Sequence, residues 1–276
     1  MSYSTRIDYT LHLADNALIL GHRNSEWTGF GPILEQDIAL SNIALDLIGQ
    51  SRNFYQYAAR LINESDGTQG SGDRNVTAEV TGIGNTPGEV SEDSLAYLRD
   101  AWDFKNCLLA EQVNGDWART ILRQFFISSY QQLLYSELQY SPDTELAAIG
   151  EKSLKEVSYH LRWSSEWVIR LGDGTAESFY RMQKALEDLW KFTGELFLPA
   201  AYEKQLAAEG IAPDLAVLKP KWEERVHEVF EEARLSVPGK ETWMLTGGKE
   251  GRHTEQLGYI LAEMQFLQRA YPGCEW

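Results

Sequence analysis

One nine-residue segment of the chain, KEVSYHLRW at residues 155–163, contains residue types that bind metal in helical bundles. A carboxylate-bridged di-iron bundle takes a Glu from each of two helices and a Glu-x-x-His pair from each of the other two. Here Glu156 and His160 stand four residues apart, and Val157 occupies the position three residues before the histidine. The segment therefore has the imidazole of such a pair without its carboxylate.

The other residues that could complete such a site are too few. Asp15 lies in the first predicted helix, and Asp46 lies in the second, with Gly49 where a histidine is needed. Residues 117–136 contain no Asp, Glu or His, so the helix predicted there offers no ligand. With His160, the set falls short of the four carboxylates and two histidines of a di-iron bundle. We interpret the segment as a ligand helix that has lost its ligand set. The degenerate metal-site positions are Asp15, Asp46, Gly49, Val157 and His160.

Two other places have the literal Glu-x-x-His spacing. Glu224 precedes His227, but on a helical wheel Glu224 falls opposite the apolar stripe of its own helix, towards solvent. Glu250 precedes His253, but this pair begins in a glycine turn, which would not hold the carboxylate on a fixed face. We predict that neither pair binds metal.

The elements that would position these residues are helices. Apolar residues recur at spacings of three and four, and alternating strand-like runs are scarce, which predicts an all-α chain. Long antiparallel helices with short loops are typical of a helical bundle, here a single domain over residues 1–276. The Gly, Ser and Thr-rich residues 65–89 are predicted to form a surface excursion. Helices are predicted near residues 5–23, 33–63, 92–112, 116–140, 144–171, 175–198, 214–235 and 252–270.

The second helix has a stripe of small and polar residues that supports two interpretations. Either the stripe is the solvated face of a buried helix, or it forms a compact polar seam inside the bundle. If Asp46 and His160 meet there, a mutual hydrogen bond satisfies both without a metal. We predict that the second and fifth helices lie side by side. The stripe consists of Glu35, Ala39, Asn42, Asp46, Gly49 and Asn53.

Composition excludes several classes of protein. The 276 residues are 43% hydrophobic and 12% aromatic, which is a globular balance. The net charge of -16, without a basic stripe, argues against nucleic acid as a partner. No apolar run reaches the ~20 residues of a membrane span. With two cysteines and no signal-like start, we expect a cytoplasmic protein that does not bind a membrane.

Four segments together carry a resemblance to a known family. They are DIALSNIALDLIGQSRNF, LLAEQVNGDWA, KEVSYHLRW and TGGKEGRHTEQLGYILAEMQFLQR. As a set they resemble the PaaA/PaaC family, the ferritin-like subunits of the multicomponent phenylacetyl-CoA epoxidase. The resemblance extends over nearly the whole chain except residues 65–89. It implies a ferritin-like bundle of long antiparallel helices with extra C-terminal helices.

The resemblance also implies a function. The family's reaction is 1,2-epoxidation of the ring of phenylacetyl-CoA with molecular oxygen and reducing equivalents. In its catalytic subunit, two helices carry full Glu-x-x-His pairs; Asp46 to Gly49 and Val157 to His160 match them here, and each lacks one member. The chain is more similar to the family's non-catalytic partner subunit. A structural role beside a PaaA-type catalytic subunit is thus implied, with no cofactor in this chain and the di-iron centre in that partner.

Two other functions remain open on the sequence alone. A free-standing metal-dependent oxygenase could use Asp15, Asp46, Glu156 and His160 in an unusual geometry. An acyl-CoA-binding helical protein could use the helix-opening segment TGGKEGRH as an anion site. The sequence does not decide whether the chain also self-associates. The candidate anion or partner contacts in that segment are Lys249, Arg252 and His253.

Overall fold

The structure, a computed structural model, describes residues 3–68, 90–239, 242–271 and 274. Over these residues the chain is all-α, as predicted, with eleven α-helices and no strand. The helices are α1 Tyr3–Ser25, α2 Leu34–Thr68, α3 Glu92–Tyr97, α4 Leu108–Glu111, α5 Trp117–Leu138, α6 Thr144–Gly172, α7 Ala176–Leu189, α8 Ala201–Ala208, α9 Leu215–Glu232, α10 Glu255–Met264 and α11 Phe266–Ala270. Short 3-10 turns occupy Ala101–Asp103, Trp190–Phe192, Gly194–Phe197 and Gly248–Glu250.

Four long helices, α1, α2, α5 and α6, form the bundle. Tyr55 of α2 reaches Asp15 of α1, while Gly21 further along α1 lies against Ile48, so these two helices are antiparallel. Helices α2 and α6 are also antiparallel. Gln36, near the start of α2, accepts a hydrogen bond from the indole of Trp163 in the second half of α6. Tyr57, further along α2, donates to Asp143, the residue that caps the start of α6. None of the helices in the described ranges is long and apolar enough to cross a membrane.

Side-chain caps explain where the two later bundle helices begin. Asp116 accepts a hydrogen bond from the backbone amide of Arg119 at 3.0 Å and starts α5. Asp143 does the same for Leu146 at 3.2 Å and starts α6. Such caps satisfy amides that have no carbonyl partner in the first helical turn. Asp143 also accepts the hydroxyl of Tyr57 at 2.7 Å, which ties this cap to α2.

The helix predicted over 92–112 is wrong as a single element. Helix α3 ends at Tyr97, and α4 begins only at Leu108. Between them, the backbone amide of Lys105 donates to Asp15 and that of Cys107 donates to Asn16, both on α1. Side chains of another helix have replaced the helical carbonyls as acceptors, and the local pattern of apolar residues cannot reveal this.

Three other predicted boundaries also differ from the structure. The helix predicted over 175–198 ends at Leu189 and continues as two 3-10 turns. The one predicted over 252–270 divides at Gln265, whose side-chain amide donates to the carbonyls of Ala96 and Arg99. Helix α2 runs to Thr68, so the first four residues of the predicted Gly-rich excursion are helical. The rest of that excursion, residues 69–89, lies outside the described residues.

Candidate functional site

The Asp46 and His160 side chains meet where α2 packs against α6. His160 Nε2 lies 3.0 Å from Asp46 Oδ2. The imidazole is fully buried, whereas the carboxylate is 37% exposed. The prediction that these two helices pack side by side, with this pair between them, is confirmed. The other ring nitrogen, Nδ1, is buried and has no hydrogen-bond partner among the described residues.

The remaining positions of the two degenerate pairs carry no metal donor. Val157 is completely buried and fills core volume with an apolar side chain. Gly49 is exposed, and a Cβ added there would meet no atom of the described residues within 4 Å outside its own helical turn. One turn from His160, the side chain of Glu156 accepts a hydrogen bond from the side-chain amide of Gln50 at 2.8 Å. The carboxylate that precedes the histidine in α6 is therefore already bound to α2.

Asp15 is fully buried, and its carboxylate is saturated by protein donors. It forms an ion pair with the buried guanidinium of Arg99 and accepts the Tyr55 hydroxyl at 2.5 Å. It also accepts the backbone amide of Lys105 at 2.7 Å. Asp15 is thus an anchor for the irregular segment that follows α3.

The electrostatics of this network keep each partner in its bonding state. Burial lowers the pKa of Arg99, but the charge and hydrogen bond of Asp15, together with Tyr55 and Asp103, more than offset this, and the pKa is raised. Burial and the same carboxylate raise the pKa of Tyr55 well above its usual range. The guanidinium therefore stays charged and the phenol stays a hydrogen-bond donor, so the carboxylate keeps all of its partners.

Asp15 and Asp46 lie at different levels of the bundle. Asp15 bonds Tyr55, which follows Asp46 by nine residues in α2, and nine residues rise ~13 Å along a helix. In the described part of the chain, no three His, Cys, Asp or Glu side chains are placed to hold a metal ion. The residues at these positions do not fit the donor set of a di-iron bundle, whose carboxylates and histidines converge from four helices.

The α2 stripe lies at the protein surface, so its interpretation as an interior polar seam is wrong. None of its six residues is fully buried, and Glu35, Asn42 and Gly49 are exposed. The stripe separates two kinds of apolar side chain, buried on one flank and at least half exposed on the other. The buried flank contains Ile43, Leu47 and Phe54, and the exposed flank contains Leu34, Ile38 and Leu45.

The segment TGGKEGRH has most of its charge engaged inside the protein. Lys249 is buried and binds Glu203 at 2.9 Å. His253 is buried and binds Glu111 at 2.8 Å. Arg252 is exposed and pairs with the neighbouring Glu250 at 2.5 Å. Of the three candidate anion contacts, only Arg252 presents its charge to solvent.

The Glu111–His253 pair is a site that sequence reasoning missed. Nδ1 of His253 faces the Glu111 carboxylate, and Nε2 lies 2.8 Å from the carbonyl oxygen of Phe104. Both of these groups only accept hydrogen bonds, so both ring nitrogens donate and the ring is an imidazolium. Burial alone would lower the pKa of His253. The hydrogen bond and the charge of Glu111, together with the bond to the Phe104 carbonyl and the charge of Asp15, more than offset this effect, and the pKa is raised.

The spacing of residues along the sequence did not predict the other contacts of this polar interior either. Glu111 also accepts the backbone amide and the hydroxyl of Thr254, each at 2.7 Å, and the amide of Asn106 at 2.9 Å. Glu195 accepts three backbone amides, from Leu108, Gly247 and Gly248. Apart from Asn106, these partners lie 52 or more positions from their glutamate, so no short motif marks them.

Two comparisons with known proteins show the family of this chain. The chain matches the family described as "Phenylacetic acid catabolic protein" over residues 1–276. It is also 46% identical over 268 residues to one of the subunits of the 1,2-phenylacetyl-CoA epoxidase from Escherichia coli (strain K12). That alignment covers 97% of this chain and 98% of the relative.

Proposed function

Because the chain belongs to the phenylacetic acid catabolic protein family, we propose that it is a structural subunit of a phenylacetyl-CoA 1,2-epoxidase complex. In this role it binds a PaaA-type catalytic subunit in the cytoplasm and stabilises it. The di-iron centre belongs to that partner, and this chain carries none. The relative from Escherichia coli supports the proposal, since its name describes one subunit of such an epoxidase.

The observation that carries this proposal is the Asp46–His160 hydrogen bond. The two side chains that stand at metal-ligand positions of α2 and α6 bond each other at 3.0 Å. Their companions in the two pairs are Gly49 and Val157, which have no donor atom in their side chains. The pair thus acts as an ordinary polar contact between α2 and α6, with each helix contributing one potential ligand.

The Asp15 network supports the same role. To serve as a metal ligand, this carboxylate would have to release Arg99, which is itself fully buried. Leaving a buried charge without its partner costs several kcal/mol, in the range of about 3–5. The competing oxygenase interpretation needs Asp15 and Asp46 at one metal centre, although their levels in the bundle differ by ~13 Å.

The acyl-CoA-binding interpretation is also less favoured. A phosphate-binding site at TGGKEGRH would draw on the charges of Lys249 and His253, but both are buried and bonded to glutamates. Arg252 alone is exposed there. We therefore infer that Lys249 and His253 hold this turn against the bundle, and that the segment is structural.

Purification of the chain alone from iron-replete cells tests the first half of this proposal. We expect no stoichiometric iron by metal analysis and no turnover of phenylacetyl-CoA, with the catalytic subunit prepared in parallel as the positive control. About two irons per chain, the number in a carboxylate-bridged bundle, would contradict the proposal.

Reconstitution tests the second half. We expect the catalytic subunit to be more stable and more active when this chain is added than when it is alone. The measurements are its melting temperature and its rate of phenylacetyl-CoA epoxidation. A catalytic subunit that is equally stable and equally active in the absence of this chain would contradict the partner role.

A further inference from the structure

A ridge of exposed apolar side chains runs along the outer face of α2 and the turn before it. Leu34, Ile38 and Leu45 fall within ~40° of one another on a helical wheel, so they form one line. Large apolar side chains are rarely left exposed side by side unless the surface is an interaction site. The α2 ridge consists of Phe30, Ile33, Leu34, Ile38 and Leu45, each at least 50% exposed.

The stripe beside this ridge has room for a partner. Apart from Glu35 its members are small or short, and a Cβ on Gly49 would meet no described atom within 4 Å outside its own helical turn. Rows of small side chains make the groove into which the side-chain ridge of another helix packs. A ridge of large side chains next to a groove of small ones is therefore the shape that a second helix complements.

The negative charge of this surface favours a positively charged partner. Residues 26–51 contain no Lys, Arg or His, whereas they contain Glu26, Glu35, Asp37 and Asp46. The next cation, the exposed Arg52, stands beyond the ridge and is paired with Glu92 at 3.4 Å. Glu35 is exposed and Asp46 is partly exposed, and both belong to the stripe. A second copy of the chain would bring the same acidic face and a further net charge of -16, so like charges would oppose association.

We propose that the α2 ridge and the α2 stripe are the docking surface for a basic amphipathic helix of the catalytic subunit. That helix places apolar side chains on the ridge and Lys or Arg side chains over Glu35 and Asp46. This inference rests on the proposed function, because it takes the catalytic subunit as the partner. The docked helix covers the exposed edge of Asp46 and completes the burial of the Asp46–His160 pair.

Paired charge substitutions test the surface. Leu34→Glu combined with Leu45→Glu places two carboxylates on the ridge, and both positions are exposed, so the fold should tolerate them. The matched control is Tyr259→Glu with Phe266→Glu, two exposed apolar residues on α10 and α11. We expect the ridge variant to bind the purified catalytic subunit at least about tenfold more weakly by titration calorimetry, and the control to bind within about twofold of the wild type.

A single charge reversal provides a second, milder test. Glu35→Lys should weaken binding and should reduce the dependence of the affinity on salt concentration, because it removes one attraction to the basic helix. Glu224→Lys on α9 is its control, since it changes the net charge equally on an exposed helix face elsewhere. Thermal melts of each variant confirm that the free chain is folded.

The outcomes separate this inference from the proposed function. If the ridge variant still binds, or if the α10–α11 control loses binding equally, the α2 surface is not the docking site. Either result leaves the partner role intact. A ridge variant that loses only self-association, measured by sedimentation, assigns the surface to a second copy and also overturns the inference. A wild-type chain that does not bind the catalytic subunit overturns the proposed function itself.

Discussion

Two histidine–carboxylate pairs in this protein have similar distances and very different surroundings. His160 meets Asp46 at 3.0 Å, with one ring nitrogen bonded and the carboxylate partly exposed. His253 meets Glu111 at 2.8 Å, with both ring nitrogens bonded and both side chains buried. The pair at the metal-ligand positions is the less satisfied of the two. The densest polar networks therefore hold irregular segments against the bundle rather than its long helices to one another.

The segments held in this way are those that cannot satisfy their own backbone. The chain between α3 and α4 and the turn before α10 are short of helical hydrogen bonds, so their amides need acceptors elsewhere. Asp15, Glu111 and Glu195 provide those acceptors. The long helices α2 and α6 satisfy their own backbones, and the Asp46–His160 bond adds comparatively little to them.

Among the substitutions that compare these regions, removal of Arg99 should lower the free energy of unfolding the most. Arg99→Met leaves the Asp15 carboxylate buried without its counter-charge, and we expect the free energy of unfolding to fall by about 3–5 kcal/mol in urea denaturation. Adding Asp15→Asn to this variant should recover part of the loss, because the uncompensated charge is gone. A double variant less stable than Arg99→Met would contradict the ion-pair explanation.

Glu111→Gln should have the next largest effect. The substituted amide cannot accept from all four donors that the carboxylate accepts, so buried groups lose partners and stability should fall by about 2–3 kcal/mol. The comparison variant is Glu156→Gln, in which the partly buried side chain keeps an oxygen to accept from Gln50. Equal losses in the two variants would remove the distinction between the interior network and the α2–α6 contact.

The pH dependence of stability should distinguish the same two pairs. The pKa of His253 is raised in the folded protein. Its imidazolium therefore stabilises the fold fully below the unfolded-state pKa of about 6.5, and this contribution is lost as the pH rises through the folded-state pKa. We expect the stability difference between the wild type and Glu111→Gln to shrink as the pH is raised from about 6 to about 9. A difference that stays constant would contradict an imidazolium at His253.

Asp46→Ala should have a smaller effect, because the carboxylate is partly exposed. It leaves Nε2 of the buried His160 without its partner, and we expect a loss of about 1–2 kcal/mol. Asn42→Ala, one turn earlier in the same stripe, is the control and should change stability by no more than about 0.5 kcal/mol. Equal melting temperatures for the two variants would show that the hydrogen bond contributes nothing to the fold.

Gly49→Ala should have the smallest effect, with the opposite sign. An exposed mid-helix glycine is less favourable than alanine by up to about 1 kcal/mol. The added Cβ meets no described atom within 4 Å beyond its own helical turn, so the free chain should become more stable. Gly150→Ala is the control and should gain less in a thermal melt, because its Cβ would stand 3.3 Å from Gln139 and Leu138. Destabilisation by Gly49→Ala would contradict the conclusion that there is free space around Gly49 in the stripe.

The helical class and most of the bundle could be predicted from the sequence. Periodicity located α1, α5 and α6 within a few residues, because the apolar repeat of a helix is a local property. The sequence also predicted that α2 and α6 pack side by side, although the stripe from which this was argued lies at the surface. The prediction of an incomplete ligand set came from counting residues and needed no coordinates.

Tertiary contacts were needed to establish which way the α2 stripe faces and where the helix predicted over 92–112 is interrupted. A wheel separates the faces of α2, but only packing shows that Leu34 and Leu45 point away from the core. The break after Tyr97 depends on acceptors from α1, and the Glu111–His253 bond joins residues 142 positions apart. Such contacts arise from the folding of the whole chain, so no local pattern encodes them.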